Sequence, residues 1–456
     1  MKNLQIQEIA DALGIAAHCA GTVSAMSINS RELPPGCLFI AIKGENFDGH
    51  DYAVDALKNG AAAVLCERAC GCGEKELRVL STRTALLQLA AWYRAKFDIP
   101  VAAVTGSVGK TSTKDAVALV LSQGFRVLKS ELNRNNEIGL PLTLFGLSDE
   151  TQLAVLELGM SDFGEIGRLS HCVKPSLAIL TNIGVSHIET LGTRENIRSA
   201  KLEILAGMAQ DAPIILNADD PLLCGAQTGG HPVYTYGIDA ADCGFRATDL
   251  ETTADGVRFT AVFADGTQAI ELPVHGRHMV SNALAALAAG VHFGIAPQAA
   301  AKALAEYVSP EMRQRIRKLR DITLIEDCYN ASPDSQNAAL NVLRDAAKGR
   351  RIAVLGDMLE LGDWREKAHR DVGIMAAQRG ADMLLTYGEA SQAMAAAAKE
   401  AGLTNTESFL EKPALMERLL EILQGGDTVL FKASRGMRLE EVIAAVDAAY
   451  GKELPS

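Results

Sequence analysis

Ile99-Pro100-Val101-Ala102-Ala103-Val104-Thr105-Gly106-Ser107-Val108-Gly109-Lys110-Thr111-Ser112 is the stretch that decides the fold of this chain. The apolar run 99–104 reads as a buried strand, the glycines as a turn, and residues 111–121 as a helix. A strand, a glycine turn and a helix start together cradle a polyphosphate. Backbone N–H groups and the helix N-terminus face the anion, Lys110 adds positive charge, and the Thr111 hydroxyl can hold Mg²⁺. The long form of this motif asks for glycine at 104, where Val104 stands, so the match is to the shorter Gly-x-x-Gly-Lys-Thr form. A tight turn that happens to contain Gly-Lys-Thr is the alternative. The flanking strand and helix favour a P-loop that binds ATP or GTP.

Bulk properties set the frame. A chain of 456 residues suggests two to three domains. Its apolar and charged fractions are those of an ordinary globular protein with sizeable cores. The net charge of −12 argues against a nucleic-acid partner, which would call for a basic face. An acidic protein with anionic substrates must concentrate its Lys and Arg locally. Cys66, Cys70 and Cys72 cluster, but no second Cys or His pair follows at zinc spacing, so reduced cysteines are expected. Residues 1–14 read as an amphipathic helix and lack the pattern of a signal peptide. No apolar run is long enough for a membrane span. A cytoplasmic protein without membrane insertion is the expectation.

Three regions separate along the chain. Residues 1–83 hold short strands and helices, a small α/β module. In residues 84–310, strand candidates at 101–104, 153–158, 177–180 and 214–216 alternate with helices, which implies a mostly parallel sheet. Residues 243–275 look like a β-hairpin insertion turning at Asp265-Gly266. Residues 311–456 repeat the α/β rhythm, with strands at 323–326, 352–355, 383–386 and 428–431. The fold class expected is α/β in three domains: an N-terminal module, a central P-loop sheet with a β insertion, and a C-terminal Rossmann-like domain.

Polar residues gather at the strand ends, where open parallel sheets keep ligands. Glu157 ends one strand and could ligate Mg²⁺ or cap a helix. Asn182 and His187 follow another; a lone histidine is more often structural than a ligand, but the strand-end position and the glycine before it leave the two readings of His187 level. By spacing alone, Lys201 in the helical stretch 195–205 reads as a solvated lysine. His278 and Asn282 share one helix face, either to read a nucleoside or as an exposed stripe. Arg313, Arg315 and Arg317 form a basic run that could clamp phosphates or line an edge strand. The segments from Asp327 to Asp334 and from Lys432 to Gly436 are further strand-end loops.

In this order, the short P-loop, Glu157-Leu158-Gly159-Met160, Asn182-Ile183-Gly184 with His187, and Lys201 with Glu203 resemble the Mur ligase family, ATP-dependent amide-forming enzymes of peptidoglycan precursor synthesis. The resemblance covers nearly the whole chain. It is strongest to the members that add D-alanyl-D-alanine to UDP-N-acetylmuramoyl-tripeptide. Ser30-Arg31, Pro35 to Phe39, and Gly44 with Asp48-Gly49-His50 resemble their UDP-binding module. Asn135-Asn136 with Gly139 and Pro141 resembles their substrate loop. Tyr329-Asn330-Ala331 with Pro333-Asp334-Ser335, and Gly356-Asp357-Met358 with Glu360-Leu361-Gly362, resemble their C-terminal signatures. The Asn-Pro-Arg motif of the members that add the third amino acid is absent, while Ser332 and Ala433 stand where Asn and Gly are commoner.

The resemblance implies roles. Lys110, Glu157, His187 and Lys201 would be catalytic. Gly106, Ser107, Val108, Gly109, Lys110, Thr111, Ser112, Asn182, His278, Asn282, Arg313 and Asp327 would bind ATP. Ser30, Arg31, Asp48, Asn135, Asn136, Asn330, Ser434 and Arg435 would bind substrates. Thr111 with Glu157 would hold one Mg²⁺, and His187 with a carbamylated Lys201 a second. A monomer is expected. A folylpolyglutamate-type or cyanophycin-type ligase, and a nucleotide-binding switch, are the competing readings.

Overall fold

The computed structural model describes residues 1–131 and 133–451, so positions 452–456 of the expected C-terminal range lie outside the described residues. The central sheet has nine strands. Val101–Thr105 sits inside it, between Leu177–Leu180 and Leu153–Glu157, with Val127–Lys129 at the edge beyond. All these pairs are parallel. The chain therefore leaves Val101–Thr105 to one side and returns on the other, which opens a crevice at its carboxyl end.

Ile214–Asn217 and Val233–Gly237 extend the sheet in parallel, and Phe245–Thr252, Val257–Phe263 and Gly266–Leu272 close it as an antiparallel meander. The expected hairpin insertion is thus a three-stranded continuation of the main sheet. Its alternating burial fits one face packed on the helix Arg277–His292 and one face solvated.

The N-terminal unit has four parallel strands, Ala25–Ser27, Cys37–Ile40, Ala63–Cys66 and Glu76–Arg78. The expected first helix is shorter than residues 1–14. Leu4–Gln5 pairs with Thr22–Val23, and the helix runs Ile6–Leu13, because Gln5 and Glu8 form a reciprocal cap at its start. The C-terminal unit is a six-stranded sheet. Its core strands Ile322–Glu326, Thr428–Lys432, Arg351–Gly356 and Met383–Tyr387 are parallel. Arg315–Leu319, from the basic run, is an antiparallel edge strand. Its Arg317 pairs with Glu326 and Asp447, so that arginine is structural.

One apolar core runs along a face of the central sheet and into both flanking units, through Leu38, Leu86, Leu156 and Leu355. Arg94 locks the entry to the glycine loop. Its buried guanidinium donates to the carbonyls of Val173, Phe97 and Ile99, just before Val101–Thr105 begins. In the C-terminal unit, Arg365–Gln378 crosses Ser391–Glu400 so closely that a Cβ at Gly373 would lie 2.1 Å from the Met394 carbonyl oxygen. Gly373→Ala is expected to destabilise this unit by about 1–3 kcal/mol. Thermal and urea unfolding of the full chain measure the loss, and an unchanged midpoint would contradict this crossing.

Candidate active site

The glycine loop is built by its neighbours. Gly106 has φ +149°, and a Cβ there would lie 1.9 Å from Thr181 Oγ1, so no side chain fits. The strand-end loop after Leu177–Leu180 holds the next residues. Ser107 N–H donates to the Asn182 carbonyl at 3.0 Å. Asn182 accepts from Val108 N–H and donates back to the Val108 carbonyl, both at 2.9 Å, while Thr181 Oγ1 donates to the same carbonyl at 2.7 Å. Gly109, at φ +84°, starts the helix Lys110–Leu121, one residue earlier than expected. Lys110 folds back on the carbonyls of Gly106 and Ser107. Ser107 Oγ is buried in this cradle without a partner among the described residues, which suits an incoming phosphate oxygen.

Glu157 closes one side. It is 2 % exposed and accepts from Thr111 Oγ1 and from Asn135 Nδ2, each at 2.8 Å. A carboxylate and a hydroxyl meeting beside a phosphate cradle are hard oxygen donors of the kind Mg²⁺ takes, alongside phosphate and water. Asn135 is itself fixed, since its carbonyl accepts from Gly159 N–H at 2.7 Å. Asn136 lines the same space, and its Oδ1 accepts from the Ile138 and Gly139 N–H groups where the helix Gly139–Leu144 begins. Burial lowers the affinity of Lys110 for its proton and nearby Arg313 adds to the effect, while Glu157 opposes both.

Lys201 is not the solvated lysine its spacing suggests. It is 2 % exposed at the end of the helix Arg194–Leu202. No acidic group pairs with it among the described residues. Burial, with Lys110 adding to it, drops its pKa well below the ordinary lysine range. The helical period could not reveal this, because the burying surface comes from other segments of the chain. His187 lines the cleft and precedes the short helix Ile188–Leu191, with its Nδ1 2.9 Å from Glu360 Oε2 of the C-terminal unit. That hydrogen bond holds the Glu360 carboxyl below its usual range.

The C-terminal unit supplies the opposite wall. Asp327 Oδ2 accepts from the buried Lys432 at 2.7 Å, and Lys432 also donates to the Asn330 carbonyl at 3.0 Å. Asp327 Oδ1 accepts from Gln314 N–H, and the Gln314 side chain bonds His278 and the His275 carbonyl. Burial lowers the His278 pKa below the ordinary histidine range, with Asp327 opposing. Asn282, 6 % exposed, accepts from Thr113 Oγ1 at 2.9 Å, so it belongs to the cleft wall and not to an exposed stripe. Arg313 stacks 4.0 Å over the Tyr329 ring. Asp334 presses on the central unit, where a Cβ at Gly184 would lie 2.5 Å from its Oδ2. Burial raises the Asp334 pKa and Arg194 opposes the shift.

A cavity of about 720 Å³ joins these walls. Residues 107–112, Asn135, Asn136, Glu157, Asn182, His187, His278, Asn282, Arg313, Asp327 and Asn330 line it. Lys201 is not among the lining residues, though it lies near enough to Lys110 to feel its charge. Ser30 and the exposed Arg31 belong to the N-terminal unit, as does Asp48, which accepts from His50 Nδ1 at 2.6 Å; none of the three reaches the cavity. Ser434 and Arg435 also lie outside it: Ser434 accepts from Leu359 N–H, and Arg435 pairs with Glu440. Sequence reasoning did not single out Gln314, Tyr329, Lys432 or Glu360 as site residues. Lys432 carried a visible signal, its strand-end position. Tyr329 carried the same signal, in the strand-end loop after Asp327, while Gln314 and Glu360 meet the central unit through contacts between units.

Comparison with known proteins agrees with this geometry. Three family models match in order: Mur ligase family, catalytic domain (residues 22–94), Mur ligase middle domain (104–290), and Mur ligase, glutamate ligase domain (312–435). The UDP-N-acetylmuramoyl-tripeptide–D-alanyl-D-alanine ligase of Bacillus subtilis (strain 168) is 40% identical, over 92% of each chain. A crystal structure of MurF from Acinetobacter baumannii superposes with a TM-score of 0.90 at 29% identity, covering 97% of this chain and 98% of that one. MurF ligase from Thermotoga maritima in complex with ADP gives 0.85 at 27% identity, covering 94% and 98%. The chain therefore belongs to the Mur ligase family of ATP-dependent ligases, in the branch of the UDP-N-acetylmuramoyl-tripeptide–D-alanyl-D-alanine ligases.

Proposed function

We propose that this chain joins D-alanyl-D-alanine to UDP-N-acetylmuramoyl-tripeptide, consuming ATP to ADP and phosphate through an acyl phosphate. The observation that carries the reading is the single cleft in which the glycine loop and Glu157 face Arg313, Asp327 and Asn330 of another unit. The matching relatives align over 92% and 98% of their own length. The working roles are UDP-muramoyl binding for residues 1–83, ATP binding and ligation for 84–310, and dipeptide binding with nucleotide closure for 311–456. The protein acts as a cytoplasmic monomer in this reading. No helix among the described residues is long and apolar enough to cross a membrane.

The chemistry requires two anions to meet. The terminal carboxylate of the tripeptide attacks the γ-phosphorus, the bond to the β-phosphate oxygen breaks, and ADP leaves. The free amine of the dipeptide then attacks the acyl carbon, and phosphate departs from the tetrahedral intermediate. Lys110 and the loop N–H groups offset the charge on the phosphates, and Arg313 approaches from the opposite wall. Asn182, His278, Asn282 and Asp327 hold the nucleotide. Asn135 and Asn136 stand beside Glu157, where the carboxylate end of the tripeptide must lie. Ser30, Arg31 and Asp48 take the UDP end. Asn330 is the dipeptide contact we assign; Ser434 and Arg435 are engaged within their own unit. The C-terminal wall shields the acyl phosphate from water.

Thr111 and Glu157 would hold one Mg²⁺, and His187 with Lys201 a second; bound there, the ions would neutralise the developing phosphate charge. An ammonium cannot ligate a cation. Burial without a counter-charge favours the neutral amine of Lys201, the form that adds CO₂ and releases a proton to give an anionic carbamate.

Phosphate release should require ATP, Mg²⁺, the muramoyl-tripeptide and D-alanyl-D-alanine together, with a pentapeptide product by mass. Release that required a muramoyl-dipeptide and a free diamino acid would overturn the substrate assignment. The buried lysine makes a second, opposed pair of effects. Its folded pKa lies below its unfolded one, so the unfolded chain binds the extra proton. Folding is penalised at neutral pH, and the penalty shrinks as pH rises toward the ordinary lysine value. In CO₂-depleted buffer, Lys201→Met should raise the thermal midpoint near pH 7, with a gain that fades toward pH 10. The same variant should lose about 10²–10³-fold in turnover, the scale of removing one principal electrostatic group. A variant that is destabilised at pH 7, or one that keeps most of its activity, would contradict this account.

A further inference from the structure

The His187–Glu360 contact joins two units and has no part in the chemistry above. His187 sits on the central unit at φ +63°, and Glu360 on the C-terminal unit at φ +62°. Both are non-glycine residues in the left-handed region, a conformation kept only where surroundings enforce it. On the C-terminal side the enforcement is visible. Asp357 is 4 % exposed and accepts from Ser391 N–H at 2.8 Å and Ser391 Oγ at 2.6 Å. Met358 N–H donates to the fully buried His369 Nε2 at 3.0 Å, while His369 Nδ1 bonds the Arg365 carbonyl. Leu359 N–H donates to Ser434 Oγ at 2.9 Å. Glu360 therefore leaves a loop whose three preceding residues are pinned. Two residues later, Gly362 lies against the central unit, where a Cβ would be 3.2 Å from Glu189 Cγ. The loop is seated beside His187 on both sides of Glu360.

The pair is half open to solvent, with side-chain exposures of 24% and 63%. Such pairs add little to stability. Their geometry matters more. A histidine that ligates a metal through one nitrogen commonly donates its other N–H to a carboxylate, which fixes tautomer and ring orientation. Here Nδ1 faces Glu360, Nε2 has no hydrogen-bond partner among the described residues, and His187 lines the cleft while Glu360 does not. We propose that Glu360 is the positioning residue for His187, supplied by the C-terminal unit, so that Nε2 is presented to the cleft only while the two units are docked. The inference rests on the reading of His187 as a metal ligand. It ties readiness of that ligand to the position of a unit that also carries Arg313 and Asp327.

The test uses the full chain with ADP and bicarbonate, Mn²⁺ as the probe, and long-range ¹H–¹⁵N spectra of the His187 ring, assigned by loss in His187→Ala. The wild type should show the Nδ1–H tautomer. Glu360→Ala should shift the ring toward Nε2–H and weaken Mn²⁺ binding, read by electron paramagnetic resonance, by about 10–100-fold. Glu360→Gln keeps an acceptor oxygen and should restore most of both, and the thermal midpoint should not move in either variant. Unchanged tautomer and Mn²⁺ affinity in Glu360→Ala, with affinity lost in His187→Ala, would overturn the positioning role alone. Unchanged Mn²⁺ affinity in His187→Ala would overturn the metal reading and the proposal together.

Discussion

The cleft depends on one steric constraint: the chain after Val101–Thr105 has no room for a side chain at Gly106, because Thr181 already fills the space. That close approach lets the loop after Leu177–Leu180 bond the glycine loop on both edges through Thr181 and Asn182. The loop backbone is then fixed before any ligand arrives: Ser107 and Val108 N–H are held by Asn182, and the first N–H groups of the helix Lys110–Leu121 are left to face the anion, so little reorganisation remains for the reaction. The remaining walls follow from it. Glu157 ends the adjoining strand, and His187 follows the other neighbour.

A protein with net charge −12 must still gather phosphates, a carboxylate and a dipeptide. It does so by bringing cations from separate units to one cavity, Lys110 from the centre and Arg313 and Lys432 from the C-terminal side. Lys201, which does not line the cavity and is not one of these cations, carries a separate cost. A buried amine without an acidic partner opposes folding, and such local conflicts gather where function requires them. Asp334 shows the same trade at the interface between units, where burial works against its charge.

Most of the central unit was legible in the sequence because its signals are local. The strand, the two glycines and the helix start lie within a dozen residues, and the strand ends carry their polar residues in plain view. Edge strands such as Val127–Lys129 and Thr406–Phe409 escaped because they are short and half-exposed, with no sustained alternation to read. The meander after Val233–Gly237 was read as a separate hairpin, since nothing local shows that it continues the parallel sheet. Lys201 was misread as solvated on spacing alone, because its burial comes from distant segments. The contacts that join units, Glu360 to His187 and Gln314 to His278, left no local trace. Ser332 and Ala433, unusual by family standards, have structural accounts. Ser332 caps the helix Pro333–Ala346, and Ala433 is fully buried against Gly356.

The central claim is that the tripeptide carboxylate is activated as an acyl phosphate in this cleft. The direct measurement is oxygen transfer. The muramoyl-tripeptide is prepared with ¹⁸O in its terminal carboxylate and turned over with ATP and D-alanyl-D-alanine, and the released phosphate is analysed by mass. The account predicts one ¹⁸O in each phosphate, because the oxygen that attacks phosphorus leaves with it when the amide forms. Phosphate carrying only the oxygens of ATP and water, at full turnover, would contradict the acyl phosphate and the assignment of the cleft built on it.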